Sequence, residues 1–231
     1  MKKIILLITL ISCIALTACS KTEVNTNDVV VDTNSNITDT EVNTTVETTR
    51  IMPLASTIDM ENLNDCTVAV SLNEGDAYVD DTGMMKMKVT VFDYDLYDMV
   101  DIASLKEGDT IVIGNHDIVI SSIERNDLGL VMINGGLEQG GFDLATNDDG
   151  VYFEVGFNDA KTYYVVGETE ISVSTEFKYI DSSDLEAEPK EYFPGDFLVE
   201  DAGIEYNFNP NNTKIVIQDG KIIEMNRVFV P

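Results

Sequence analysis

Tryptophan is absent from the 231 residues, histidine occurs once, and 14 basic residues stand against 42 acidic ones. Each shortage excludes something. Without an indole there is no such platform for a sugar ring. That weighs against a glycosidase built on two of the many acids, whose carboxyls would also have to sit about 5–10 Å apart. Any serine or cysteine triad would have to use His116, which falls in a predicted tight turn beside Asp117, and no G-x-S-x-G elbow occurs. The net charge of −28 repels nucleic acid, anionic headgroups and anionic wall polymers. Nucleic acid is therefore excluded as a partner. Cys13, Cys19 and Cys66 form no CxxC and no Cys/His cluster, so the chain lacks a zinc-site pattern. Long apolar runs are missing too: Ile4–Ala18 falls short of the ~20 residues that cross ~30 Å of hydrocarbon.

What the N-terminus does contain is more specific. Lys2-Lys3 precedes the Ile4–Ala18 run, which ends in Leu16-Thr17-Ala18-Cys19. A cationic head, an apolar segment and small residues before a cut mark an export signal. With its cysteine the segment resembles a bacterial lipoprotein precursor, whose lipobox ends in the residue that is acylated and becomes the mature N-terminus. The resemblance covers about the first twenty residues. It implies a signal peptide over 1–18, lipidation of Cys19 and an extracytoplasmic protein. The bilayer would be its first partner: the cell membrane, or an outer membrane where the envelope has two. Two or three acyl chains on one cysteine hold a protein there stably. Leu10-Ile11-Ser12-Cys13 also fits a lipobox, but the apolar Ile14-Ala15-Leu16 would follow that cut, whereas polar Ser20-Lys21-Thr22-Glu23 follows Cys19. Loss of 1–18 removes Lys2 and Lys3 and no acid, taking the charge from −28 to −30. It also leaves Cys66 without a disulfide partner, and Cys66 is expected as a buried, inert small hydrophobe.

From 19 to 50 the chain is rich in threonine, asparagine, valine and acids, and Thr22-Glu23-Val24-Asn25-Thr26 recurs as Thr40-Glu41-Val42-Asn43-Thr44. Such a stretch buries too little apolar surface to offset its ordering entropy. It reads as a disordered tether, reaching about 100 Å when extended and about 30 Å as a coil.

Residues 51–231 read as a single β-rich domain, with all aromatics from Tyr78 onward. Met85, Met87, Val89 and Val91 alternate with Lys86, Lys88 and Thr90; Ile171, Val173, Phe177 and Tyr179 alternate in the same way. One hairpin is expected from Ile111-Val112-Ile113 through Gly114–Asp117 to Ile118-Val119-Ile120. A second is expected from Ile215-Val216-Ile217 through Asp219-Gly220 to Ile222-Ile223 and on toward Val230. One short helix is expected over about Asp95 to Leu105. A Gly-Asp turn recurs at Gly75-Asp76, Gly108-Asp109 and Gly195-Asp196, each read as opening a strand. Together these give a mainly β fold, an antiparallel barrel or a two-sheet sandwich of roughly ten strands with one short helix.

No catalytic constellation emerges. The densest acids near aromatics are Asp93, Asp95, Asp98 and Asp101. Asp93, Asp95 and Asp98 are the candidate ligands for Ca2+, although the EF-hand pattern fails at Tyr97, Asp98 and Ser104. No other cofactor is expected. Asn134–Gly141 reads as a wide connection or, alternatively, as a flap over a pocket beside Arg125 and Phe142; Arg125 and Arg227 are expected to pair with acids. The leading expectation is a membrane-anchored surface lipoprotein, a non-enzymatic binding or interaction module for a protein or glycan. The alternatives are a tethered carbohydrate-active hydrolase using paired acids, which needs a concave pocket and a carboxyl of raised pKa, and a purely structural envelope component.

Overall fold

The computed structural model describes residues 47–147 and 149–230; the expected signal peptide, Cys19 and most of the tether lie outside them. The elements begin with β1 (Arg50–Ile51), β2 (Cys66–Ser71), β3 (Ala77–Val79), β4 (Met85–Asp93) and β5 (Leu96–Tyr97), then α1 (Met99–Ser104). Next come β6 (Thr110–Ile113), β7 (His116–Val119), β8 (Ile123–Arg125), β9 (Val131–Ile133), β10 (Phe142–Thr146) and β11 (Tyr152–Val155). The chain ends through β12 (Tyr164–Ser182), β13 (Lys190–Tyr192), β14 (Thr213–Gln218) and β15 (Lys221–Val228). The fold is mainly β, and its strands exceed the expected ten because six of them have only two or three residues, too few to show a period. Pairing starts slightly before residue 51: Arg50 lies opposite Thr110, and the Thr49 amide donates to Asp109 at 2.8 Å.

Five strands, in the order β12-β15-β14-β2-β4, close into a barrel because β4 also pairs with β12. A ring with an odd number of strands cannot be antiparallel throughout, and here β12–β15 is the parallel ladder. The 19-residue β12 serves both sides of the closure, with β4 along its first half and β15 along its second. Register shifts between Val165 and Gly167, and between Val173 and Lys178, bend it around the ring. The inward positions follow the two-residue period: Met87, Val89 and Val91 meet Ile171, Val173, Phe177, Ile215, Ile217 and Ile222 in the interior. Phe197 and Phe208 close one end against Tyr179 by edge-on contacts, with centroids 5.5 Å apart in each case.

A second cluster collects Ile51, Tyr97, Ile102, Ile111, Ile133 and Leu144 between the sheet β5-β11-β10-β9-β8 and the sheet β1-β6-β7. The expected helix is shorter than read. The Asp98 carboxylate accepts from the Val100 amide at 2.7 Å and caps α1, so Leu96 and Tyr97 before it stay extended and pair with β11. Only Ile102 of the helix is buried, while Met99 and Val100 face solvent.

Turn chemistry explains the hairpins. Asp219-Gly220 and Gly114-Asn115 have positive φ at both positions, as a two-residue primed turn requires. The first loop is thus two residues rather than four, and His116 lies on strand β7 opposite Ile113 instead of in the turn. The recurrent aspartate turn is one structure repeated. Asp76, Asp109 and Asp196 each accept from the amide three residues back, at 2.6, 3.0 and 2.7 Å, and each returns its own amide to that residue's carbonyl. Asn212 makes the same pair with Asn209 and opens β14. The Asp196 copy departs from expectation, for Pro194 starts a 3-10 turn through Leu198 instead of a strand.

The glycine-rich Asn134–Gly141 loop is pinned. The Asn134 side-chain oxygen accepts from the Ser121 amide at 2.7 Å, its Nδ2 donates to Val119, and Asp143 accepts from Leu137 at 3.1 Å. A Cβ on Gly141 would collide with the Ile133 carbonyl oxygen and lie 2.6 Å from that of Asn134. Gly141→Ala should therefore destabilise the protein by about 2–3 kcal/mol, read as a lower urea midpoint at unchanged m-value, whereas Gly140→Ala, with open space around its Cβ, should carry only the smaller backbone cost of its positive φ.

Candidate functional site

Where β12 and β15 end together, the chain leaves a recess of about 840 Å3. Its walls are the 183–190 connection, the 203–212 segment leading into β14, and the last residues of β15. Arg227 lies two residues after Met225 on β15, hence on the same inward face, and both are buried. Burying a guanidinium is tolerated only when it is paired and hydrogen-bonded. Its Nη1 lies 3.4 Å from Asp181 Oδ2 and donates to the Glu205 carbonyl at 3.1 Å, while Nη2 lies 3.6 Å from Glu205 Oε2. The ring of Phe208 sits below, 5.9 Å from the guanidinium carbon. The Nε is buried without a partner among the described residues.

Asp181 gathers the rest of the floor. The Ser183 amide and hydroxyl donate to Oδ1 at 3.0 and 2.6 Å, and the Tyr179 hydroxyl donates to Oδ2 at 2.9 Å. Burial pushes this carboxyl up, but the Ser183 and Tyr179 hydrogen bonds and the Arg227 charge outweigh it, so the acid is held below its ordinary value. The Tyr179 phenol is pushed up, first by burial and then by its bond to Asp181. The result is a rigid polar floor beneath a rim of exposed acids and apolar residues, among them Glu205, Glu186, Leu185 and Phe229.

Arg227 was expected to pair with an acid, and it does. Among the described residues Arg125 meets no acid: its Nη2 donates to the carbonyls of Ile102 and Leu105, both at 2.9 Å, and so caps the C-terminal end of α1. The candidate calcium ligands are spent separately. Asp93 accepts from the Tyr94 amide and the Ser56 hydroxyl, Asp95 from the Gly114 amide at 2.9 Å, and Asp98 caps the helix. Among the described residues no three acidic, histidine or cysteine side chains group as metal ligands would. The Asn134–Gly141 loop, read alternatively as a flap, contributes to neither the recess nor the two smaller hollows beside Glu170 and Val216. Cys66 is half-buried at the start of β2, its thiol pushed up by burial and then by the Asp65 charge.

Two acids interact just beyond the β5–β11 ladder, in which Leu96 lies opposite Phe153 and Tyr97 opposite Tyr152: the Asp95 charge acts on Glu154. Burial first, and then the Asp95 charge, push the Glu154 carboxyl up against an opposing hydrogen bond from Thr162. A paired-acid hydrolase needs such a carboxyl in a concave site, yet Glu154 lines none of the three hollows.

Asp181, Glu205 and the Asn209–Asn212 turn escaped the sequence reading, and Tyr179 entered it only as an alternating strand position. The available signals were an arginine at an inward position of an alternating strand, and Asp181-Ser182-Ser183, a local side-chain-to-amide turn. No protein-family model, curated protein or solved structure matches this chain.

Two pH experiments probe these acids. A carboxyl depressed in the folded state stabilises fully above its unfolded value of about 3.9 and loses that contribution as pH falls through the folded one. The stability gap between wild type and Asp181→Asn should thus be constant from neutral pH down to about 4 and shrink below it in urea titrations. Glu154 has the opposite sign. Its raised carboxyl penalises the fold above its own titration and not below, so Glu154→Gln should add up to about 1 kcal/mol at neutral pH and nothing once the wild-type acid is protonated.

Proposed function

We propose that this chain is a membrane-anchored binding module of the bacterial envelope. Acylated Cys19 holds it to the outer face of a membrane, the following polar stretch spaces the folded part from the bilayer, and the recess floored by Asp181 and Arg227 receives the ligand. The anchor rests on Lys2-Lys3, the Ile4–Ala18 run and Leu16-Thr17-Ala18-Cys19, with polar residues directly after the cysteine. The binding role rests on one observation: an open recess of about 840 Å3 whose floor is fixed by ion pairs and hydrogen bonds. A concave site with preorganised polar groups is the usual form of a binding site. The wide acidic surface keeps such modules soluble and apart from one another.

The anchor is tested by expressing wild type, Cys13→Ser and Cys19→Ser in a bacterial host, then separating membrane from soluble fractions. Wild type and Cys13→Ser should sediment with membranes, and the mature N-terminal peptide should carry a diacylglyceryl mass on Cys19. Cys19→Ser should lose that mass and the cleavage before residue 19 altogether. Lipid found on Cys13, or an unmodified Cys19 in membrane-bound protein, would overturn the assignment.

A further inference from the structure

Both walls of the recess are turns closed on themselves. On one side the Ser183 and Glu186 amides donate to the side chains of Asp181 and Asp184, at 3.0 Å in each case, and the Ala187 amide reaches the Asp184 carbonyl. On the other the Asn207 amide donates to the Glu205 carbonyl two residues back, the Asn209 amide to Asn212 Oδ1, and the Asn211 amide to Asn209 Oδ1. Asn212 is buried and uses its whole side-chain amide there, since its Nδ2 holds the Asn207 carbonyl. Such walls meet a ligand with side chains rather than with a strand edge. An extended peptide finds no backbone ladder to join.

The side chains that remain have a definite chemistry. Asn207 and Asn211 are exposed on the recess, and their side-chain amides make no hydrogen bond among the described residues. A free amide is donor and acceptor at once, as a hydroxyl is. Asp184, Glu186 and Glu188 have no ion-pair partner among the described residues, and the recess is lined by five acids against two bases, Lys190 and Arg227. Anionic ligands are repelled from it and cationic groups are drawn in. In the floor Arg227, its side chain 6% exposed, has Nε short of an acceptor. Leu185 and Phe229 put exposed apolar surface on the rim. The negative face of a phenyl ring suits the C–H face of a pyranose.

We propose that the recess binds an oligosaccharide of unacetylated amino sugars. Its ammonium groups meet the unpaired acids of the 183–190 connection, its hydroxyls exchange hydrogen bonds with Asn207 and Asn211, and a ring face rests on Phe229. A polyamine would leave the free amides without partners, and a neutral sugar would leave the acids uncompensated. A basic peptide would bring backbone groups that these walls cannot pair. This rests on the reading of the domain as a binding module and names its class of ligand.

The test uses the full-length protein in nonionic detergent and a fluorescent β-1,4-linked oligomer of glucosamine. Its N-acetylated form and an oligolysine of equal charge are compared with it at matched ionic strength. The glucosamine oligomer should bind saturably, and the other two at least about tenfold more weakly. Removing both free amides, Asn207→Ala with Asn211→Ala, should weaken the glucosamine oligomer by about tenfold, as the loss of a pair of ordinary hydrogen bonds would. The melting temperature should stay where it was, since neither side chain has a partner within the described fold. No binding of the glucosamine oligomer, equal binding of the acetylated form, or undiminished affinity in the double variant would each overturn the proposal. Equally tight binding of oligolysine would overturn it too. If the double variant then weakens oligolysine, the recess still stands as a binding site, for a basic peptide; if it does not, the effect is adhesion on a polyanion and the binding-module reading falls as well. The anchor stands or falls separately on Cys19.

Discussion

The ladder between β4 and β12 joins the two ends of what would otherwise be an open, twisted five-strand sheet. Closure removes both edges at once and encloses an apolar interior shared by all five strands. It also sets the geometry of everything attached. Because β12 must reach β4 along one half and β15 along the other, it is long and bent, and its end overshoots the ring beside β13. The recess lies at that overshoot, between the run-out of β12 and the run-in to β14. Its position follows from the odd strand count and the parallel pair that such a count requires.

The polar interior at the same end follows from desolvation. Arg227 occupies an inward position, so its charge has to be met by acceptors brought from elsewhere in the chain. Asp181 comes from the far end of β12, and Glu205 comes from the segment crossing the barrel mouth. Tyr179 and Ser183 then occupy the lone pairs of Asp181 that Arg227 leaves free. The aromatic cluster of Tyr179, Phe197 and Phe208 seals the network from the aliphatic core below. The same requirement acts at Asp109, buried and satisfied by the amides of Lys106 and Thr49. In that case it ties the first residues of the folded part to the second hydrophobic cluster.

Local signals carried the reading where local physics decides. Alternation at Met85–Val91 gave the correct inward face of β4, and Asp219-Gly220 gave the hairpin between β14 and β15. The reading failed where two local signals competed. The periodic residues Leu96, Met99, Val100 and Ile102 suggested one long helix face, but the Asp98 cap starts the helix later and hands Leu96 to a strand. Three of the four aspartate-type turns were legible because glycine announced them; the Asn209–Asn212 copy was not, since asparagine replaces aspartate and no glycine precedes it. Of the recess, only Arg227 was singled out. Its partner Asp181 is 46 residues away, and no spacing rule links them.

The sequence by itself determined the strand-rich class, the tight hairpin at Asp219-Gly220 and the acidic balance of the chain. These rest on two-residue alternation, on the tolerance of glycine, asparagine and aspartate for positive φ, and on charge counted along the chain. Only the tertiary structure decided that the strands close into a ring, which acids meet Arg227, and that the Asp95 charge reaches Glu154. Those outcomes depend on which residues distant in sequence share a desolvated neighbourhood. Burial and hydrogen-bond satisfaction select that neighbourhood for the whole chain at once, and no window of sequence contains it.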